Sequence, residues 1–159
     1  MLHCALQQFN NNSRKYPVNE TIDSLFEAQV TKTPDRLAVS YKNNHLTYQQ
    51  LNQRANQLAR LLLQLNIKPG EFITVVKARD PDLLISILAI LKVGGVYVPI
   101  DSTYPPARIE YMVTDARVKT ILTDAGSLAT LNELIRNCPE VKNLIRLNGD
   151  RVDPQGRFH

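Results

Sequence analysis

The residues of this sequence that could carry chemistry sit mostly in short polar stretches following apolar runs, where ligands of layered α/β proteins usually bind. After Phe72 to Val76 the chain reads Lys77-Ala78-Arg79-Asp80 before Pro81. No glycine there lets a phosphate approach the backbone, so neither a dinucleotide fingerprint nor a P-loop is written in this stretch. Arg79 with Asp80 is the most suggestive polar pair. Its first reading is structural: Asp80 caps the helix that follows, and Arg79 satisfies nearby carbonyls or carboxylates. Asp124-Ala125-Gly126-Ser127 has the outline of a phosphate nest, yet no lysine or second glycine follows in register.

The remaining candidates are isolated. His3, His45 and His159 are spread over the lead-in, a hairpin and the tail, and no two of them are spaced to share a metal. Asp101, Asp115, Asp124 and Glu133 stand singly beside helix termini or on polar helix positions, where capping and dipole partnership account for them without an acid/base pair. A Gly-x-Ser-x-Gly elbow is absent, which disfavours a hydrolase. Cys4 and Cys138 are too few and too distant for a disulfide framework or a CxxC site, so a reduced, cytoplasmic setting is expected. No catalytic, cofactor-binding or metal-ligating residue is assigned.

A length of 159 residues with 43% hydrophobic content supports one domain with a real core. The net charge of +4 is scattered along the chain, with no polybasic run and no aromatics interleaved with basic residues, which argues against a nucleic-acid partner. The most apolar stretch, Leu83 to Leu91, is far shorter than the ~20 residues a bilayer span requires. The first residues lack the basic start and apolar core of a secretion signal, so no membrane role is expected.

The elements that must position these residues follow from periodicity. Gln7 to Asn19 is polar and reads as a lead-in. Ile22, Leu25, Phe26 and Val30 recur at helical spacing until Thr33-Pro34. Leu37 to Tyr41 and His45 to Thr47 flank Asn43-Asn44 as a hairpin. Thr47 and Gln50 form a capping box, opening a helix whose face of Leu51, Ala55, Leu58, Ala59, Leu62 and Leu65 runs on until Pro69-Gly70. Phe72 to Val76 predicts a strand, and Pro81 to Val93 a helix so apolar that burial on most sides is expected.

Gly94-Gly95 ends that helix, and Val96 to Ile100 reads as a buried strand with Pro99 near an end or edge. A Pro-rich turn then leads to a helix bearing Ile109, Met112, Val113 and Ala116. Val118 to Leu122 predicts a strand, Leu128 to Ile135 a helix stopping near Cys138-Pro139, and Val141 to Leu147 a last strand; Asp150 to His159 looks like tail. Alternating strands and helices imply an α/β fold, a mainly parallel layered sheet with flanking helices on both faces.

Two segments carry a resemblance. Leu46-Thr47-Tyr48-Gln49-Gln50-Leu51 and Leu91-Lys92-Val93-Gly94-Gly95-Val96-Tyr97-Val98-Pro99-Ile100-Asp101 closely resemble signature segments of the adenylation domains of non-ribosomal peptide synthetases, members of the adenylate-forming, AMP-binding superfamily. The order of Leu25 to Val30, Thr33-Pro34-Asp35, Tyr104 to Ile109 and Leu122-Thr123-Asp124 is similar as well, covering roughly Tyr16 to Leu147. The resemblance implies residues 1–18 as linker-like lead-in, 19–148 as the N-terminal part of an adenylation domain and 149–159 as tail, within an incomplete large subdomain of that fold.

It also implies a complete enzyme that uses ATP and Mg²⁺ to form an aminoacyl-adenylate and loads it onto a carrier thiol. The phosphate loop ending in Pro-Lys-Gly, the ribose-holding aspartates and the lysine of the mobile domain are not among these 159 residues. The expectation is therefore a truncated or split fragment, silent alone and lacking its own cofactor site, whose partner is the remainder of the domain or a synthetase module. The alternatives are a non-catalytic scaffold or interaction unit, self-associating through an apolar surface left uncovered, and more weakly an independent nucleotide-binding module.

Overall fold

A computed structural model describes residues 17–148 and 151–155. The lead-in up to Tyr16 lies outside these residues. Helix α1 (Ile22–Lys32) starts at Thr21, whose hydroxyl and the side chain of Ser24 cap each other's backbone amides. Strands β1 (Leu37–Tyr41) and β2 (Asn44–Thr47) form the expected antiparallel hairpin. Helix α2 (Tyr48–Gln64) opens on the Thr47/Gln50 capping box, with Thr47 N–H donating to Gln50 Oε1 at 2.9 Å and Gln50 N–H to Thr47 Oγ1 at 3.2 Å. Its buried face comprises Leu51, Ala55, Leu58, Ala59 and Leu62.

This helix stops earlier than Pro69-Gly70. Asn66 turns into the left-handed region at φ 59°, and the amides of Asn66 and Ile67 fold back onto the carbonyls of Leu63 and Leu62. That Schellman closure satisfies the last carbonyls and swings Ile67 under the helix, where it is buried. The Pro-Gly pair shapes the following loop instead.

The main sheet contains β3 (Phe72–Lys77), β4 (Val96–Asp101), β5 (Thr120–Thr123), β6 (Asn143–Asn148) and β7 (Arg151–Gln155), ordered β4-β3-β5-β6-β7. The first four run parallel, and β7 pairs antiparallel with β6. Between them lie α3 (Pro81–Lys92), α4 (Pro106–Asp115) and α5 (Ala125–Leu134), the last continued by a 3-10 turn over Ile135–Asn137. Side-chain alternation divides the core between the two faces. Ile73, Val75, Leu122, Ile145 and Leu147 meet α2 and α3, whereas Val76, Ile121, Leu144 and Ile100 meet α4 and α5. Each fully buried Leu or Ile in these layers contributes about 1.5–3 kcal/mol by leaving water.

Helix α3 is buried on most sides as expected, leaving Leu84 exposed and Leu83, Ile87 and Leu91 half-buried. Two other expectations need correction. Strand β4 is not a buried strand but the sheet's edge, with Val96 and Pro99 exposed. Residues 151–155, read as tail, pair with β6 as β7. Hydrophobic content misled the reading of β4: it reports that a segment packs on something, but not which side of it remains open.

The Gly94-Gly95 doublet has two separate causes. Gly94 adopts φ +71° as the left-handed residue of a second Schellman closure after α3, whereas a Cβ on Gly95 would press to within 3.1 Å of both Ile73 Cδ1 and Ile90 Cγ2.

Candidate functional site

The chain leaves β3 for β4 on one side and passes from β5 to β6 on the other, so the carboxyl ends of β3 and β5 flank a topological switch point, the usual ligand crevice of such sheets. The residues arriving there are Lys77 to Asp80 from the end of β3 and Thr123-Asp124 from the end of β5. Strand alternation dictates where Lys77 points. With Ile73 and Val75 directed at α3, Lys77 follows them, and its side chain is only 1% exposed. Its ammonium pairs with Asp80 and lies 3.7 Å from the Asp82 carboxylate.

Asp80 caps α3 as expected, accepting from Leu83 N–H at 3.2 Å, but its cationic partner is Lys77, not Arg79. Arg79 is exposed, and its described influence is the field it places on Asp101. Sequence reading missed Lys77. The signal was available in the alternation of Phe72-Ile73-Thr74-Val75-Val76-Lys77, whose last odd position must share the inward face.

Asp124 ties the two sides of the crevice together. One carboxylate oxygen accepts from Ser127 N–H at 2.8 Å, capping α5, and the other accepts from Ala78 N–H at 3.2 Å on the neighbouring loop. Beside it, Thr123 Oγ1 donates to the Val76 carbonyl at 2.8 Å. Partial burial pushes the Asp124 carboxyl up, but the Ser127 and Ala78 amides, aided by Lys77, outweigh this and hold it below its ordinary range. The outline of a phosphate nest at Asp124 to Ser127 is thereby filled by the chain's own carboxylate.

At the end of β4, Asp101 closes a turn by accepting from the Thr103 amide at 2.9 Å and the Thr103 hydroxyl at 2.8 Å. These bonds, with Arg79 nearby, lower its carboxyl. A cleft of about 590 Å³ opens between the ends of β3 and β4, lined among others by Lys77, Arg79, Tyr97, Asp101 and Tyr104. A second, of about 380 Å³, separates the hairpin from the start of α3, with His45, Arg54, Asp80 and Asp82 on its walls.

His45 bonds Ser40 at 3.0 Å across the hairpin, and Asp115 and Glu133 lie exposed on their helices. Cys138 is buried against Thr114, and burial pushes its thiol up. His3, His159 and Cys4 fall outside the described residues. Among the described residues no group of three or more His, Cys, Asp or Glu is arranged to hold a metal, and no helix is long and apolar enough to cross a membrane. What this arrangement does chemically is fix the spacing of the loops: each carboxylate that reaches the crevice is already bound to an amide, a hydroxyl or Lys77.

Comparison with known proteins gives a consistent result. A family model described as AMP-binding enzyme matches residues 26–157. Gramicidin S synthase 2 of Brevibacillus brevis is 44% identical over 128 residues, which cover 80% of this chain and 3% of that protein. Bacitracin synthase 1 of Bacillus licheniformis is 39% identical over 152 residues, covering 96% of this chain and again 3% of the relative. Among solved structures, the nonribosomal peptide synthetase FmoA3 aligns with TM-score 0.71 at 26% identity, over 80% of this chain and 14% of that one. An anthranilate CoA ligase, AuaEII, in complex with anthranoyl-AMP, aligns with TM-score 0.78 at 20% identity, over 84% of this chain and 26% of that one. The last shows a shared fold. The chain thus spans only a few per cent of these curated relatives and about a quarter or less of these solved chains.

Proposed function

Because the chain belongs to the AMP-binding enzyme family, on its match over residues 26–157 and its identity to peptide synthetases, we propose that it is the front of an amino-acid-activating domain. The complete unit would join an amino acid to AMP from ATP for non-ribosomal peptide synthesis, and the partner of this segment is then the rest of that domain within a synthetase module. The observation that carries this reading is the 44% identity to Gramicidin S synthase 2 across four-fifths of the chain.

On this reading the segment's part in that activity is structural. Thr123, Asp124 and the Lys77 ion cluster hold the loops at the switch point at a fixed separation, supplying one wall of a crevice. Adenylate formation requires positioned positive charge and N–H donors on the phosphoryl oxygens. The described residues do not fit that task, nor that of holding Mg²⁺: Asp80, Asp101 and Asp124 are engaged by their own neighbours, and Asp124 occupies the helix start that a phosphate would need. We therefore derive no step through ATP or Mg²⁺ for this segment, and infer that it is silent alone. In an ATP–pyrophosphate exchange assay the isolated chain should give background with every proteinogenic amino acid. Exchange clearly above background would overturn its silence.

A further inference from the structure

Among the described residues, both outer strands of the main sheet carry a proline, and hydrogen-bond parity places each on the open side. In β4, Val96 N–H donates to the Glu71 carbonyl at 2.8 Å, so the backbone groups of Val96, Val98 and Ile100 face β3. Those of Tyr97, Pro99 and Asp101 consequently face outward. At the opposite edge, Asn143 N–H donates to the Lys119 carbonyl at 3.1 Å, which turns Asn143, Ile145 and Leu147 toward β5 and Leu144, Arg146 and Asn148 toward β7. The register Leu144↔Gln155, Arg146↔Asp153 and Asn148↔Arg151 makes these the bonded pairs, so Val152 and Pro154 face outward.

Proline has no N–H, so a donor is absent midway along the free edge of β4 and at the second of the two outward positions of β7. A strand laid beside β4 would find Tyr97 N–H, then no donor at Pro99, with a pyrrolidine ring against its backbone. Its own carbonyl opposite that point would be left unpaired, which outweighs the gain of one ordinary bond. Strand β7 repeats the pattern, with Val152 N–H outward and Pro154 next. Without these residues β4 would be hazardous: the run Val96-Tyr97-Val98 is apolar and β-favouring, and Val96 is 38% exposed.

We propose that Pro99 and Pro154 close the two edges of this sheet against a strand from a second copy of the chain. Edge-to-edge pairing of two copies of the chain is thereby blocked.

The test restores the donors in the 159-residue chain with Pro99→Val, Pro154→Val and the double variant, beside Pro69→Val as an equally apolar change in an exposed loop. Sedimentation velocity across a dilution series should show self-association on the order of thirtyfold tighter in the double variant than in the native chain, the effect of regaining about two inter-strand bonds, one donated by each copy, and no change in the Pro69 variant. Amide exchange supplies an independent readout on the native protein, where Tyr97 and Val152 should exchange as open amides at every concentration. Concentration-dependent protection of either amide in the native chain would overturn the proposal even if the double variant did not fold. It would equally be overturned by a folded double variant associating no more than the native chain, or by the Pro69 variant associating as strongly as the double variant.

Discussion

Lys77 and Asp124 are the residues on which the switch point depends, and each makes a measurable demand. Truncating Lys77 removes the cation that pairs with Asp80 and lies 3.7 Å from the Asp82 carboxylate at the start of α3. Both carboxylates retain some solvent, so Lys77→Ala should destabilise by about 2–3 kcal/mol, below the cost of breaking a fully buried pair, while Lys77→Met should cost less because it keeps the volume. Urea unfolding would check this; an alanine variant as stable as the native chain would contradict the burial argument. The Asp124 carboxyl titrates lower folded than unfolded, so its contribution is complete above the ordinary aspartate range near ~3.9 and is lost as pH falls through the depressed folded value. Melting temperatures between about pH 6 and about pH 3 should therefore fall less steeply for Asp124→Asn than for the native chain, and parallel curves would refute that role. At this scale the caps were legible from sequence because Thr47, Asp80 and Asp124 act on residues three positions away. Lys77 and the bond from Asp124 to Ala78 were not, since one needs the strand's facing and the other spans 46 positions.

Helix ends show how local chemistry and packing share control. Helices α2, α3 and α4 all close with Schellman turns, using Asn66, Gly94 and Arg117 as the left-handed residue and placing Ile67, Gly95 and Val118 immediately beyond. Gly94 announces itself in the sequence, but Asn66 does so weakly and Arg117 not at all, which is why the end of α2 was read too late. Arg117 holds φ 49° because Val118 is buried next to Val113, and that contact offsets the steric cost of the backbone. Replacing it with glycine removes the cost and little else, the arginine being exposed. Arg117→Gly should thus stabilise by about 0.5–1 kcal/mol, raising the melting temperature by about 1–4 °C. A calorimetric scan showing a lower melting temperature would mean that the arginine side chain contributes more than its backbone costs.

At the scale of the molecule, the layered order of helices and strands was readable because period-2 and period-3.6 patterns alternate cleanly along the chain. Strand order was not, because no residue pattern states which neighbour a strand takes; β4 became an edge, and residues 151–155 joined the sheet although their composition resembles a tail. The prolines at 99 and 154 are the sequence's trace of that arrangement, intelligible only once the register fixes which way each backbone faces. The central claim, that this segment builds the front wall of an amino-acid-activating domain, is tested most directly by transplantation. The 128-residue matching segment of Gramicidin S synthase 2 can be replaced with the corresponding part of this chain within an adenylation domain of that protein. ATP–pyrophosphate exchange should persist within about tenfold of the parent, a change of ~1.4 kcal/mol in barrier. A hybrid that folds as the parent does yet gives only background exchange would contradict the account.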